Sequence, residues 1–176
     1  MTKDDLIGMF RTAHNNCKLV YATLVLFGHE DVAKFYERWS ASLNVPKPYD
    51  ETELLALLHD RDVLKHACGQ LYDTVHRAAL TDMFEMTKTY CQETDQDAIL
   101  TKQPWYQFWR IIRNCFSHDF RFQFREYDKK QLPVTWGGVT LDLTLEGKPL
   151  TQGTMSREKI LALLDDVKSF VERDLA

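Results

Sequence analysis

The chain has 176 residues, 44% of them apolar and 27% charged, which suits one soluble domain with a substantial core. Its net charge of −4 argues against a surface coated in basic residues for indiscriminate nucleic-acid binding. No run approaches the ~18 apolar residues of a membrane span, and the N-terminus carries Asp4 and Asp5 where a secretory leader needs an apolar core. Four cysteines (Cys17, Cys68, Cys91, Cys115) lie far apart with no C-x-x-C spacing. Neither a zinc knuckle nor a redox motif is expected, and reduced, buried thiols in a cytoplasmic protein are.

Residues 3–27 read as a first helix with Leu6, Met9, Phe10, Ala13, Cys17, Val20, Tyr21 and Leu24 inward, ended by a left-handed cap at Gly28. Residues 30–43 give a second, with Val32, Phe35, Tyr36 and Trp39 inward, and Pro46 and Pro48 mark an extended connector over 44–49. From Asp50 to Glu93 there is no proline, and apolar residues recur at helical spacing. One helix of that length would run ~66 Å, so a break near Leu80–Asp82 or a bend is expected. Residues 94–104 form a polar loop, and Pro104 opens the next helix.

That helix opens the stretch Trp105–Phe124, WYQFWRIIRNCFSHDFRFQF. At 100° per residue, Arg110, Arg113, Asn114, Ser117 and His118 share an arc of roughly 140°, with Trp105, Phe108, Ile111, Ile112, Cys115 and Phe116 opposite. After His118 the period changes to two: Phe120, Phe122 and Phe124 alternate with polar residues, and Val139, Leu141, Leu143 and Leu145 do likewise, bracketed by Gly137-Gly138 and Gly147. A small antiparallel hairpin or three-stranded sheet is therefore expected within about 120–150. A last helix follows, capped by Ser156, with Ile160, Leu163, Leu164, Val167, Phe170 and Val171 buried. The fold class is mainly α, a four- to five-helix bundle with a β insertion, in one domain over 1–176.

The string I-I-R-N-C-F-S-H-D-F resembles the signature of the HEPN superfamily (higher eukaryotes and prokaryotes nucleotide-binding domains). Its pattern is an Arg followed by a polar residue and then a His four to six positions on. Arg113, Asn114 and His118 fill it, and Phe120 supplies an aromatic after the histidine. The resemblance implies a helical bundle, a homodimer pairing the motif helices, and metal-independent cleavage of RNA without a cofactor. It also implies service as a toxin or antiviral effector, with an antitoxin or other regulatory partner. By carry-over, Arg113 and His118 are the catalytic pair and Asn114 the supporting residue.

The chemistry suits those residue types. RNA cleavage by its own 2′-hydroxyl needs a base, cations for the pentacovalent phosphorus, and in-line positioning. Histidine exchanges protons near neutrality, and arginine matches two phosphate oxygens at once. Ser117 is placed to orient substrate or imidazole, and Arg110 and Arg121 to contact phosphate. Residues 101–130 hold seven Lys/Arg against three acids, +4 in a chain of −4, leaving −8 elsewhere. Arg113 and His118 are five positions apart, ~140° on a regular helix, so a two-fold dimer would solve their geometry.

Two other readings stand beside this one. A non-catalytic nucleotide-binding or dimerisation module would use Trp105, Tyr106 and Trp109 as an interface anchor. An HD-type metal phosphohydrolase, whose ligands run His…His-Asp…Asp, would draw on His29 and the His59-Asp60 dyad, with His66 nearby; the fourth ligand is not identifiable, and Asp62 and His66 have the spacing of a surface pair.

Overall fold

A computed structural model describes residues 1–42 and 50–176; the connector expected over 44–49 lies outside the described residues. Their order is α1 (Lys3–Gly28), α2 (Val32–Ser40), α3 (Glu51–His59), α4 (Arg61–Glu93), α5 (Asp97–Leu100), α6 (Tyr106–Ser117), α7 (Glu126–Gln131), β1 (Val134–Trp136), β2 (Val139–Leu141) and α8 (Arg157–Asp174), with a 3-10 turn at Leu143–Leu145. The protein is mainly α with a two-stranded antiparallel sheet before the last helix. Among the described residues, no helix is long and apolar enough to cross a membrane. Two compact units divide the chain, one of residues 1–15 and 76–176, the other of residues 16–75.

In the unit of residues 16–75, Val32, Ala33, Leu58, Leu64 and Cys68 make the core, with Leu24, Phe27, Tyr36 and Leu54 packed on it. The end of α1 is closed differently from the glycine cap expected, since Gly28 is not among the positive-φ glycines. Instead the Arg61 guanidinium donates to the carbonyls of Phe27, Gly28 and His29 at 3.1, 2.8 and 3.0 Å, a cation set against the negative helix end. On α2, Val32 and Ala33 are buried while Phe35 and Trp39 lie exposed, and Tyr21 of α1 is exposed too. All three were expected inside.

The long apolar-periodic stretch breaks at Asp60, twenty residues before the expected place. Asp60 leaves the helical region (φ −84°, ψ 95°) at the end of α3, and its Oδ1 accepts from Val63 N at 3.0 Å to start α4. A short carboxylate competing for helix-start N–H groups favours a new N-terminus. Leu80, by contrast, is wholly buried within an uninterrupted α4.

The unit of residues 1–15 and 76–176 centres on wholly buried Trp109, Phe108, Phe10, Phe122, Leu163 and Phe170. Trp105 packs edge-on against Phe170 of α8 (5.4 Å) and Phe84 of α4 against Trp109 (4.9 Å). All six apolar residues expected inward on α8 are buried, behind the Ser156 cap. Gly137 and Gly138, both at positive φ, turn β1 into β2 and pair Val134 with Leu141. Residues 120–124 differ from expectation. Phe122 and Phe124 point inward, but the segment makes only a bridge, Arg121 to Pro149. The strand expected through Leu145 stops at Leu141, where Asp142 Oδ1 accepts from Thr144 N at 2.8 Å and winds the 3-10 turn. Helix α7, unforeseen in the sequence, starts where Asp128 accepts from Arg125 N at 2.8 Å.

Candidate functional site

Helix α6 forms because apolar residues recur along one side of it. Phe108, Ile111, Ile112 and Cys115 are buried, and Trp105, Tyr106 and Trp109 are buried with them. That last triplet is therefore core, not the interface anchor of the module reading. Burial pushes the Cys115 thiol up to about 12, so it is neutral and inert beside the polar face. On that face Arg110, Arg113 and Asn114 are half-buried and Ser117 exposed.

The arginines are engaged in different ways. Arg110 donates through Nε to Gln107 Oε1 at 2.9 Å, pairs with Asp128 through Nη2, and lies over the Tyr127 ring at 4.5 Å. Asp128 is only 1% exposed and also starts α7. Arg110 is thus a tie between α6 and α7, and its charge is compensated by a buried carboxylate. Arg121 donates to Gly147 O at 3.0 Å in an exposed setting.

Arg113 sits nearer the expected chemistry. Its Nη2 pairs with Glu85 of α4, its Nη1 donates to Asn114 Oδ1 at 3.1 Å, and its guanidinium lies 5.8 Å from the Phe84 ring centre. Its Nε is buried and, among the described residues, has no hydrogen-bond partner. Asn114 therefore serves Arg113 directly, while Ser117 Oγ turns back to Arg113 O at 3.3 Å, a bond within the helix.

His118 is not on the regular helix. It is the residue that ends α6 (φ −126°, ψ 61°), so the 140° separation derived from a continuous wheel does not fix its side-chain direction. Its backbone is held from both sides, N–H to Cys115 O at 3.1 Å and carbonyl from Arg121 N at 3.0 Å. The imidazole is half-buried, and no hydrogen bond or ion pair engages it among the described residues. The two residues that follow, Asp119 and Phe120, both take positive φ (53° and 56°), turning the chain sharply back.

Sequence reasoning missed the residues that set the charge of this face, namely Glu85, Asp128 and Arg77. Each lies 18 to 43 positions from its partner on α6 or the turn after it, beyond any local spacing rule. The metal-ligand reading finds no support in the side chains: His59 faces Glu37 at 3.6 Å, His29 Nδ1 accepts from Asp31 N at 3.1 Å, and Asp60 caps α4. Among the described residues no three His, Cys, Asp or Glu side chains converge. Compared with protein-family models, curated proteins and solved structures, the chain matches none.

Proposed function

We propose that this protein is a metal-independent endoribonuclease of the HEPN type. The observation that carries the reading is the half-buried, unengaged imidazole of His118 at the end of α6, one helical turn and a residue beyond an arginine steadied by Asn114. In this reading His118 takes the proton of a ribose 2′-hydroxyl. The 2′-oxygen attacks the adjacent phosphorus, the bond from phosphorus to the 5′-oxygen breaks, and the 5′-oxygen takes a proton from water. The products are a 2′,3′-cyclic phosphate and a 5′-hydroxyl. Arg113 stabilises the charge growing on the phosphorane oxygens, its Nη1 held by Asn114. Arg110, whose charge Asp128 already compensates, holds the helix in place and is not a phosphate ligand. The active form is a homodimer through α6, acting in the cytoplasm as a toxin or defence effector under an antitoxin or other regulatory protein.

The test is cleavage of labelled total RNA and tRNA in EDTA by wild type and His118→Ala. Cutting by wild type alone, with 2′,3′-cyclic phosphate ends, supports the assignment; equal cutting by both refutes it. A second reading, a non-catalytic nucleotide-binding module, draws on the Arg113–Glu85 pair, which occupies the arginine that catalysis needs. It expects His118→Ala to leave nucleotide binding unchanged and neither protein to cut.

A further inference from the structure

Phe120 carries a combination of features that packing does not account for. It takes φ +56°, a left-handed conformation in which a bulky aromatic residue is an outlier and glycine the easy choice. It lies two residues past His118, its N–H bonded to Cys115 O at 3.0 Å and its carbonyl accepting from Leu150 N at 2.6 Å. These bonds fix the strained turn from both sides. The ring is only partly buried, with 37% of the residue exposed, while its neighbours Phe122 and Phe124 go inside. Backbone strain held in place at a partly exposed aromatic residue is a mark of functional positions.

What surrounds the ring gives the chemistry. Phe116 meets it edge-on at 5.6 Å, which fixes its plane. The Arg77 guanidinium of α4 stands 5.7 Å from its centre, and among the described residues no carboxylate pairs with Arg77. Arg110 and Arg113 both carry acid partners; Arg77 does not. A partly exposed aromatic ring with an arginine that lacks an acid partner over it is a pairing that proteins use on single-stranded nucleic acid. The ring stacks a base, and the cation meets the phosphate next to it.

Building on the ribonuclease reading, we propose that Phe120 is the platform on which a base flanking the cut stacks, with Arg77 contacting that nucleotide's phosphate. Phe120 is then a positioning residue: it sets which stretch of single-stranded RNA lies against His118 and leaves the proton transfer to the imidazole. Because stacking accepts any base, recognition here favours unpaired RNA over a particular letter. Duplex RNA, whose bases are already stacked, is excluded.

The probe is a fluorescent single-stranded oligonucleotide with 2′-O-methyl riboses, which has no free 2′-hydroxyl and stays intact. Its Kd is measured for wild type, Phe120→Leu, Phe120→Gly and Phe120→Trp, with the melting temperature of each. Leu keeps apolar bulk without a π face, Gly relieves the strained backbone, and Trp restores a stacking surface. Leu and Gly are expected to weaken binding by about five- to a hundredfold, and Trp to bind as wild type or tighter. On a cleavable RNA the same variants raise KM with kcat held within about twofold. Arg77→Gln is expected to flatten the salt dependence of binding by about 0.7 in log–log slope, one phosphate contact on a single strand. Leu and Gly variants that fold and bind as wild type overturn the proposal, as does wild-type protein that does not bind the probe. If wild type still cuts RNA in EDTA through His118, only the stacking site falls; if it neither binds nor cuts, the ribonuclease reading falls with it.

Discussion

Glu85 offers the sharpest test of whether Arg113 meets phosphate. The carboxylate pairs with Arg113 Nη2, with the two side chains 44% and 29% exposed. A pair so open to water contributes only about 0–1 kcal/mol to stability. For RNA phosphate to use both terminal nitrogens of Arg113, it must displace Glu85 from one of them, at a cost of about the same size. Glu85→Gln keeps the shape and an acceptor oxygen but removes the charge. Folding stability should therefore change by less than about 1 kcal/mol, while phosphate no longer competes with a carboxylate. At 1.36 kcal/mol per factor of ten, kcat/KM on a labelled oligonucleotide in EDTA should rise by about two- to fivefold. In an Arg113→Ala background the same change should add nothing, the mark of coupling through that one side chain. A fall in kcat/KM for Glu85→Gln, or an equal gain with and without Arg113, would refute the reasoning, since either result places the carboxylate's influence elsewhere.

The Arg110–Asp128 pair should behave oppositely. With Asp128 1% exposed and starting α7 as well, Asp128→Ala strands a half-buried guanidinium and should cost about 3–5 kcal/mol in urea unfolding; a loss below about 1 kcal/mol would mark the pair as ornamental to the fold. Arg110→Ala should lose stability along with any activity, and an activity loss without destabilisation would restore Arg110 as a phosphate contact. The four thiols are buried, so a disulfide reagent at pH 8 should label none in the native protein and all four in urea, and fast labelling of any one contradicts its burial. Burial holds Cys91 up to about 11 and Cys115 up to about 12, so the unfolded chain ionises first. Their contribution to stability should be intact below the ordinary thiol pKa near 9 and fall as pH climbs through 9 toward 12, seen as a declining urea midpoint that Cys115→Ala makes shallower.

The parts of the fold legible in the sequence are those set by local rules. The buried stripe of α8, its Ser156 cap and the Gly137-Gly138 turn each follow from residues within a few positions of one another, and the structure holds them all. The break at Asp60 was legible in principle. An Asp ahead of Arg61-Asp62-Val63 is a helix-start residue, but continuous apolar spacing on both sides masked it. The inward placement of Phe35 and Trp39 failed for another reason: periodicity identifies an apolar face without saying whether anything covers it. At the site, the polar arc of α6 was read from spacing alone, and Arg113 and Asn114 do lie together. His118 escaped the wheel because the helix ends there. A wheel extrapolates a regular backbone, and the paired positive-φ residues Asp119 and Phe120 carry no glycine to announce such a turn.

Three arginines of the motif stretch had equal claims as phosphate ligands on charge alone, and their partners, set beside Arg77 of α4, now rank them. Arg110 faces a carboxylate buried away from water, so releasing it to a substrate would abandon an unpaired charge inside the protein. Arg121 donates to a carbonyl of Gly147, which satisfies a hydrogen bond without cancelling its charge. Arg113 faces a carboxylate that water already reaches, so exchange for a phosphate changes little in solvation and is reversible. Arg77 has no acid partner among the described residues and stands over the partly exposed ring of Phe120. If the protein meets RNA as proposed, its positive charge is therefore concentrated where desolvation costs least. On that ordering, removing Arg77 should weaken encounter and binding, removing Arg113 should abolish the chemical step, and removing Arg110 should loosen the scaffold beneath both.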